Sequence, residues 1–186
     1  MKLFGKFVSN CGPKTRLENY AQLKEHFPIS AFGKCVVNQT NDSQQCARHS
    51  QCELEKLSKS KFYLAFESTT LRRDYITEKF WRSLSHGVIP IVRGPKRRSY
   101  ERVAPPNSFI YANDFSDPRT LAKHLNDVGT NQNEYEKYHK WRINYETRYL
   151  SYDVEPFRFC ELCYKLNTNR DRIWYTDVNK YLLEID

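Results

Sequence analysis

The residues richest in chemistry are Glu67 and Ser68, then Asp74, Tyr75, Ile76, Thr77, Glu78 and Lys79. A short apolar run over residues 61–67 leads through a loop to the expected first turn of a helix. Free N–H groups and the positive end of the helix dipole make such a turn a natural phosphate site. Lys79 would add a full charge beside a pyrophosphate, and Glu78 could accept hydrogen bonds from a ribose diol. Arg16 falls in the first turn of another expected helix, where a guanidinium can clamp a phosphate through two parallel bonds. The spacing is neither that of a P-loop nor that of a GxGxxG dinucleotide turn, which still leaves a nucleoside-diphosphate compound open as the ligand. The same residues also fit a plainer role: an acidic first turn, an exposed lysine and a surface arginine. No HExxH, GxSxG or DxD pattern is present.

The elements that must position these groups alternate. Residues 3–8 are expected to be a strand and end in the turn cluster Ser9, Asn10, Cys11, Gly12, Pro13. Thr15 is expected to cap a helix reaching about His26, with Leu17, Tyr20, Ala21 and Leu23 as its apolar face. A short strand is expected within residues 29–37, and residues 46–60 are helical over their second half. Residues 61–67 are nearly continuous in apolar side chains, as in a strand buried on both faces of a parallel sheet. Asp74 is expected to cap a helix running to about His86, with Ile76, Phe80 and Leu84 as its core stripe and Gly87 as its stop. Residues 88–92 make the next strand, although Pro90 inside the run argues against it. A short helix over 97–103 and a strand over 109–111 follow. Asp117 and Pro118 open a helix ended by Gly129, residues 133–149 are expected to be helical, and Pro156 opens a last helix.

Strand–helix alternation predicts βαβ units, hence an α/β, Rossmann-like parallel sheet with helices on both faces. Right-handed crossovers would gather the loops 9–15, 67–74, 93–97 and 112–117 on one sheet edge, where open parallel sheets bind ligands.

Composition narrows the class. The chain has 186 residues, of which 39% are hydrophobic and 28% charged, which is a globular balance for one domain. The net charge of +8 favours anionic partners. Its only tight cluster is Arg93, Lys96, Arg97 and Arg98, and a dedicated nucleic-acid face would need a longer stripe. Six cysteines, Cys11, Cys35, Cys46, Cys52, Cys160 and Cys163, are disulfide candidates. Only Cys160 and Cys163 have CxxC spacing, without the second pair a structural zinc site needs, so no metal site is expected. Asn38 and Asn41 each begin a glycosylation sequon between Cys35 and Cys46. Sequons in a cysteine-rimmed polar loop point to an oxidising lumen.

Three segments together resemble the α-1,3-fucosyltransferase signature: Lys61 through Ser68, Asp74 through Lys79, and Gly87 through Pro95. The flanking Val8, Ser9, Asn10, Cys11 and Arg16, the run from Pro105 to Ile110, Asp114 with Phe115, and the terminal CxxC agree with it. The run from Val8 to Gly12 leans towards the branch that fucosylates N-glycan cores. The resemblance implies a two-domain GT-B enzyme of the Golgi lumen with one N-terminal membrane helix, and it covers only the C-terminal domain. Residues 1–166 would form the GDP-fucose-binding domain and 167–186 a C-terminal tail. The acceptor domain, its carboxylate base and the anchor would lie outside this chain, so the chain on its own is expected to be inactive.

By similarity, Arg16, Tyr75 and Lys79 would bind the pyrophosphate, Glu78 the ribose, and Glu67 and Ser68 the fucose side. The family usually has Asn where this chain has Ser68, which shortens that contact. The implied reaction is inverting transfer of fucose from GDP-fucose to an N-glycan or N-acetyllactosamine-type hydroxyl, as part of protein glycosylation. No obligatory cofactor is implied, a divalent metal acting at most as a stimulant, and no nucleic-acid partner. Cys160 and Cys163 are expected in disulfides, though not necessarily with each other. A non-catalytic sugar-nucleotide-binding member of the same family is the competing reading.

Overall fold

In the computed structural model, which describes residues 4–7, 11–32, 50–69, 72–147 and 155–183, five parallel strands form one sheet. They are β1 (Phe4–Phe7), β2 (Ser30–Phe32), β3 (Phe62–Phe66), β4 (Ile89–Arg93) and β5 (Ile110–Tyr111), in the order β2-β1-β3-β4-β5. The first crossover places β2 on one side of β1, and the next returns past β1 to place β3 on the other. Connections therefore diverge at the β1/β3 boundary, the switch point where this doubly wound order opens a crevice. The chain brings Arg16 and Glu67 to that boundary.

Strand alternation divides the core in two. Phe62, Leu64, Phe66, Ile89 and Ile91 face α1 (Lys14–Lys24) and α5 (Pro118–Thr130), where Leu23, Leu121 and Leu125 meet them. Tyr63, Ala65 and Val92 face the other way, towards α2 (Gln51–Ser58), α3 (Glu78–Ser85) and α4 (Arg97–Glu101), which contribute Leu57, Phe80, Leu84 and Tyr100. The parallel α/β fold with helices on both faces is thus present. α2 and α3 are also joined by a buried ion pair that the sequence reading missed. Arg82 Nη1 lies 2.7 Å from Glu53 Oε1, and Arg82 Nη2 donates to Tyr63 Oη at 2.8 Å.

Pro90 sits inside central β4 without disturbing it. Ile89 N donates to Lys61 O on the β3 side, so the next residue's nitrogen faces β5. Pairing with β5 begins only at Ile91 opposite Ile110, so the missing N–H of Pro90 costs no ladder bond.

Several boundaries differ from expectation. α1 begins at Lys14 with Pro13 as N-cap, rather than at a Thr15 cap. Its inward stripe is Arg16, Tyr20 and Leu23, continued by Phe27 just beyond the helix end, and Ala21 is exposed. α5 runs through Gly129 to Thr130. The Asn131 side chain then accepts from the backbone N–H groups of Asn133 and Glu134 and starts α6 (Gln132–Lys137). A 3-10 turn over Lys140–Ile143 replaces the expected long helix and buries Trp141. In α7 (Glu155–Thr168) every described side chain is exposed. Cys160 and Cys163, expected in disulfides, are free thiols there, because α7 presents them to solvent and not to another described cysteine. Cys11 and Cys52 are each in a disulfide. Cys35, Cys46, Asn38 and Asn41 lie outside the described residues. After α8 (Val178–Leu182), the chain meets the loop before α3, where Arg73 N donates to Leu182 O at 2.8 Å.

Candidate functional site

The N-cap of α3 is Thr77, not Asp74. Asp74 instead has φ +56° in the preceding turn, a left-handed conformation that aspartate tolerates better than most residues, and its carboxylate pairs with Arg102. This shift changes which groups meet at the helix start. Lys79 becomes the second helical residue, and Tyr75 and Ile76 belong to the approach rather than to the helix.

Glu67 follows β3 and, by strand parity, points to the α3 face. Its carboxylate is fully buried. Oε1 accepts from Thr77 N at 2.8 Å, and the Thr77 hydroxyl lies 2.9 and 2.8 Å from the two carboxylate oxygens. Lys79 Nζ donates to Glu67 Oε2 at 3.0 Å and to Thr77 Oγ1 at 2.6 Å, and Glu78 Oε1 is 3.8 Å from the same ammonium. The Thr77 hydroxyl therefore ties Glu67 to the helix instead of capping α3. A polar group taken out of water is costly unless it is hydrogen-bonded, and these donors supply the Glu67 carboxylate with its partners. Ser68 Oγ donates to Tyr75 Oη at 3.3 Å, which sets that phenol beside the strand end.

Two residues that were not among the candidate site residues, Tyr100 and Gly94, close the floor. Tyr100 is buried under Glu67, and burial, reinforced by the nearby carboxylate charge, pushes its hydroxyl well above the ordinary phenol range. A Cβ at Gly94 would stand 2.7 Å from Tyr100 Oη and 2.9 Å from Glu67 Cγ, so this position admits only glycine without a shift. Gly94 falls in the expected loop 93–97, but the reason for the glycine lies in side chains brought from the end of β3 and from α4.

Arg16 reaches the crevice from the opposite face and is only 8% exposed. Burial lowers its guanidinium pKa, and the negative charge of Glu67 opposes that shift. A cavity of about 170 Å³ opens here, lined by Thr15, Arg16, Asn19, Glu67, Ser68 and Arg93 among others. Of the six expected site residues, Arg16, Glu67 and Ser68 line one cavity. Tyr75, Glu78 and Lys79 adjoin it through their contacts with Ser68 and Glu67. The arrangement offers one buried guanidinium, one ammonium and a helix N-terminus around a small polar cleft, which suits a ligand with two linked anionic groups. Among the described residues, no three His, Cys, Asp or Glu side chains converge as a metal site.

The family model for glycosyltransferase family 10 (fucosyltransferase), C-terminal part, matches residues 1–181. The chain belongs to this fucosyltransferase family. A Homo sapiens 4-galactosyl-N-acetylglucosaminide 3-alpha-L-fucosyltransferase is 37% identical over 161 residues, covering 86% of this chain and 41% of that protein. A Homo sapiens 3-galactosyl-N-acetylglucosaminide 4-alpha-L-fucosyltransferase is 36% identical over 161 residues, covering 86% of this chain and 41% of that protein. The crystal structure of an alpha1,3-fucosyltransferase with GDP-fucose superposes with a TM-score of 0.62 at 23% identity, over 94% of this chain and 49% of that one. That likeness shows the shared fold. The chain spans less than half the length of these relatives.

Proposed function

We propose that this chain is the GDP-fucose-binding half of an α-1,3-fucosyltransferase. The observation that carries the proposal is the convergence of Arg16 and the Glu67–Thr77–Lys79 cluster at the switch point of the sheet. In this reading Arg16, Tyr75 and Lys79 hold the pyrophosphate, Glu78 takes the ribose diol, and Ser68 lines the fucose side. Glu67 acts mainly by holding Lys79 and Thr77 in place. As the glycosidic bond to fucose breaks, negative charge grows on the departing GDP, and Lys79 and Arg16 are positioned to stabilise it. An inverting displacement also needs a base for the acceptor hydroxyl. Glu67 is already engaged by Thr77 and Lys79, and the resemblance to the two-domain enzymes of the family assigns the base to the acceptor domain. This chain alone should then bind donor without transferring fucose.

The two Homo sapiens relatives are named for galactosyl-N-acetylglucosaminide acceptors, which favours an N-acetyllactosamine-type acceptor over the N-glycan core. A Golgi-luminal setting is part of the proposal. Disulfide-bonded Cys11 and Cys52 suit such a compartment. No helix among the described residues is long and apolar enough to cross a membrane. The surface charge also argues against a nucleic-acid face, because Arg97, Arg102 and Lys137 are each paired with carboxylates.

Calorimetry with GDP, UDP and an oligonucleotide at physiological salt tests the reading. GDP should bind and the oligonucleotide should not. Tight oligonucleotide binding with no GDP heat would overturn it.

A further inference from the structure

Strand parity places another cation at the same cleft. Ile89, Ile91 and Arg93 alternate onto the face of β4 that α1 and α5 cover, the face from which Arg16 also arrives. Arg93 is half-buried at the strand end and lines the 170 Å³ cavity with Arg16 and Ser68. It also lines an adjoining cavity of about 330 Å³ between α1 and α5, whose polar lining includes Asn19, Asn113 and Asp117. The Arg93 Nε is buried and has no hydrogen-bond partner among the described residues. A guanidinium nitrogen taken out of water without an acceptor is unfavourable unless a ligand supplies one.

We propose that Arg93 is a second guanidinium at the donor site, acting with Arg16 on the distal phosphate of the bound nucleoside diphosphate. This inference rests on the donor-site reading above. The direction of the ligand follows from the two faces of the sheet. Glu78 and Lys79 stand on the α3 side, which takes the ribose end. Arg16 and Arg93 stand on the α1 and α5 side, over Phe66, which takes the far end of the diphosphate. Two guanidiniums there face the phosphate that leaves with the charge of the broken glycosidic bond, and a planar donor fork matches its oxygens.

The test is calorimetric titration of the full chain and its Arg93→Leu and Arg93→Lys variants with GDP and with GMP, which lacks the distal phosphate. The ratio of the two affinities within one sample does not depend on the fraction folded. Arg93→Leu should lower the GDP-over-GMP preference roughly tenfold or more, as expected for losing a hydrogen-bonded charge contact. Arg93→Lys should restore part of it. An unchanged preference in Arg93→Leu overturns the role of Arg93 while leaving the donor site standing. No GDP binding by the unaltered chain overturns the donor-site reading itself.

Discussion

α3 and α7 are both rich in aromatic and aliphatic side chains, yet their environments are opposite. In α3, Phe80 and Leu84 are sealed against the sheet and even Arg82 is 4% exposed. In α7, Phe159 is 66% exposed and Leu166 is 72% exposed. The difference is topological. α3 is the crossover between adjacent parallel strands β3 and β4, so its path is confined to the face of the sheet. α7 connects no strands of that sheet. Apolar content favours burial, but the connection decides what a helix is buried against.

The contrast breaks most visibly at the α2–α3 ion pair. Glu53→Leu removes one partner of a buried pair and leaves Arg82 charged, so unfolding free energy should fall by about 3–5 kcal/mol. Chemical denaturation measures this, and a cost under about 0.5 kcal/mol, the surface range, would mean that the pair is not sealed. Gly94→Ala should cost about 1–3 kcal/mol, because the new methyl displaces Tyr100 or Glu67. A neutral Gly94→Ala would show that the floor of the site can relax.

Lys79→Ala tests both the fold and the ligand. A surface lysine would be dispensable, but Lys79 is bonded to a carboxylate with no solvent access. The variant should lose about 1–3 kcal/mol of stability and weaken GDP binding by roughly tenfold to over a hundredfold. Guanosine, which carries no phosphate, should bind the folded variant as it binds the unaltered chain. GDP binding as tight as that of the unaltered chain would move the pyrophosphate away from Lys79.

A pH effect comes next in size and arises from His124 in α5 and His139 in the turn that follows α6. Burial holds the His139 and His124 imidazoles below the ordinary value of 6.5, with Arg142 adding to the effect at His139. The neutral ring is favoured in the folded state, so the unfolded chain binds more protons as the pH falls. Their contribution to stability is full above about 6.5 and declines below it. The melting temperature should therefore drop on acidification from pH 7.5 to 5.5, and His139→Phe should flatten that slope. The smallest effect is expected in α7. Cys160→Ser and Cys163→Ser should each change stability by no more than about 0.5 kcal/mol. Both thiols should react with an alkylating reagent without denaturant, and protection of either would show that α7 is covered.

The β3 strand, the parallel sheet and its helix-covered faces were legible from residues 61–67 and from the alternation around them. Apolar runs and periodicity report directly which side chains must leave water. Family membership was legible because several short segments matched at once. Helix starts were less readable. Asp74 and Thr77 are both good caps, and the choice fell to Thr77 because Glu67, which follows another element, accepts its N–H. The α6 break was hidden because Asn131 acts through bonds to the next turn, which composition does not show.

The sequence by itself determined the chemistry available: a guanidinium near one helix start, and a glutamate, threonine and lysine near another. It also determined the α/β class, since hydrophobic period and turn residues are local properties. Only the tertiary structure decided that Arg16 is buried, that Lys79 is bonded to Glu67, and that Gly94 must lack a side chain. Those outcomes depend on strand order and strand parity, which bring distant positions within bonding distance. Charge energetics follow solvent exposure and nearest partners, and neither exists until the sheet has formed.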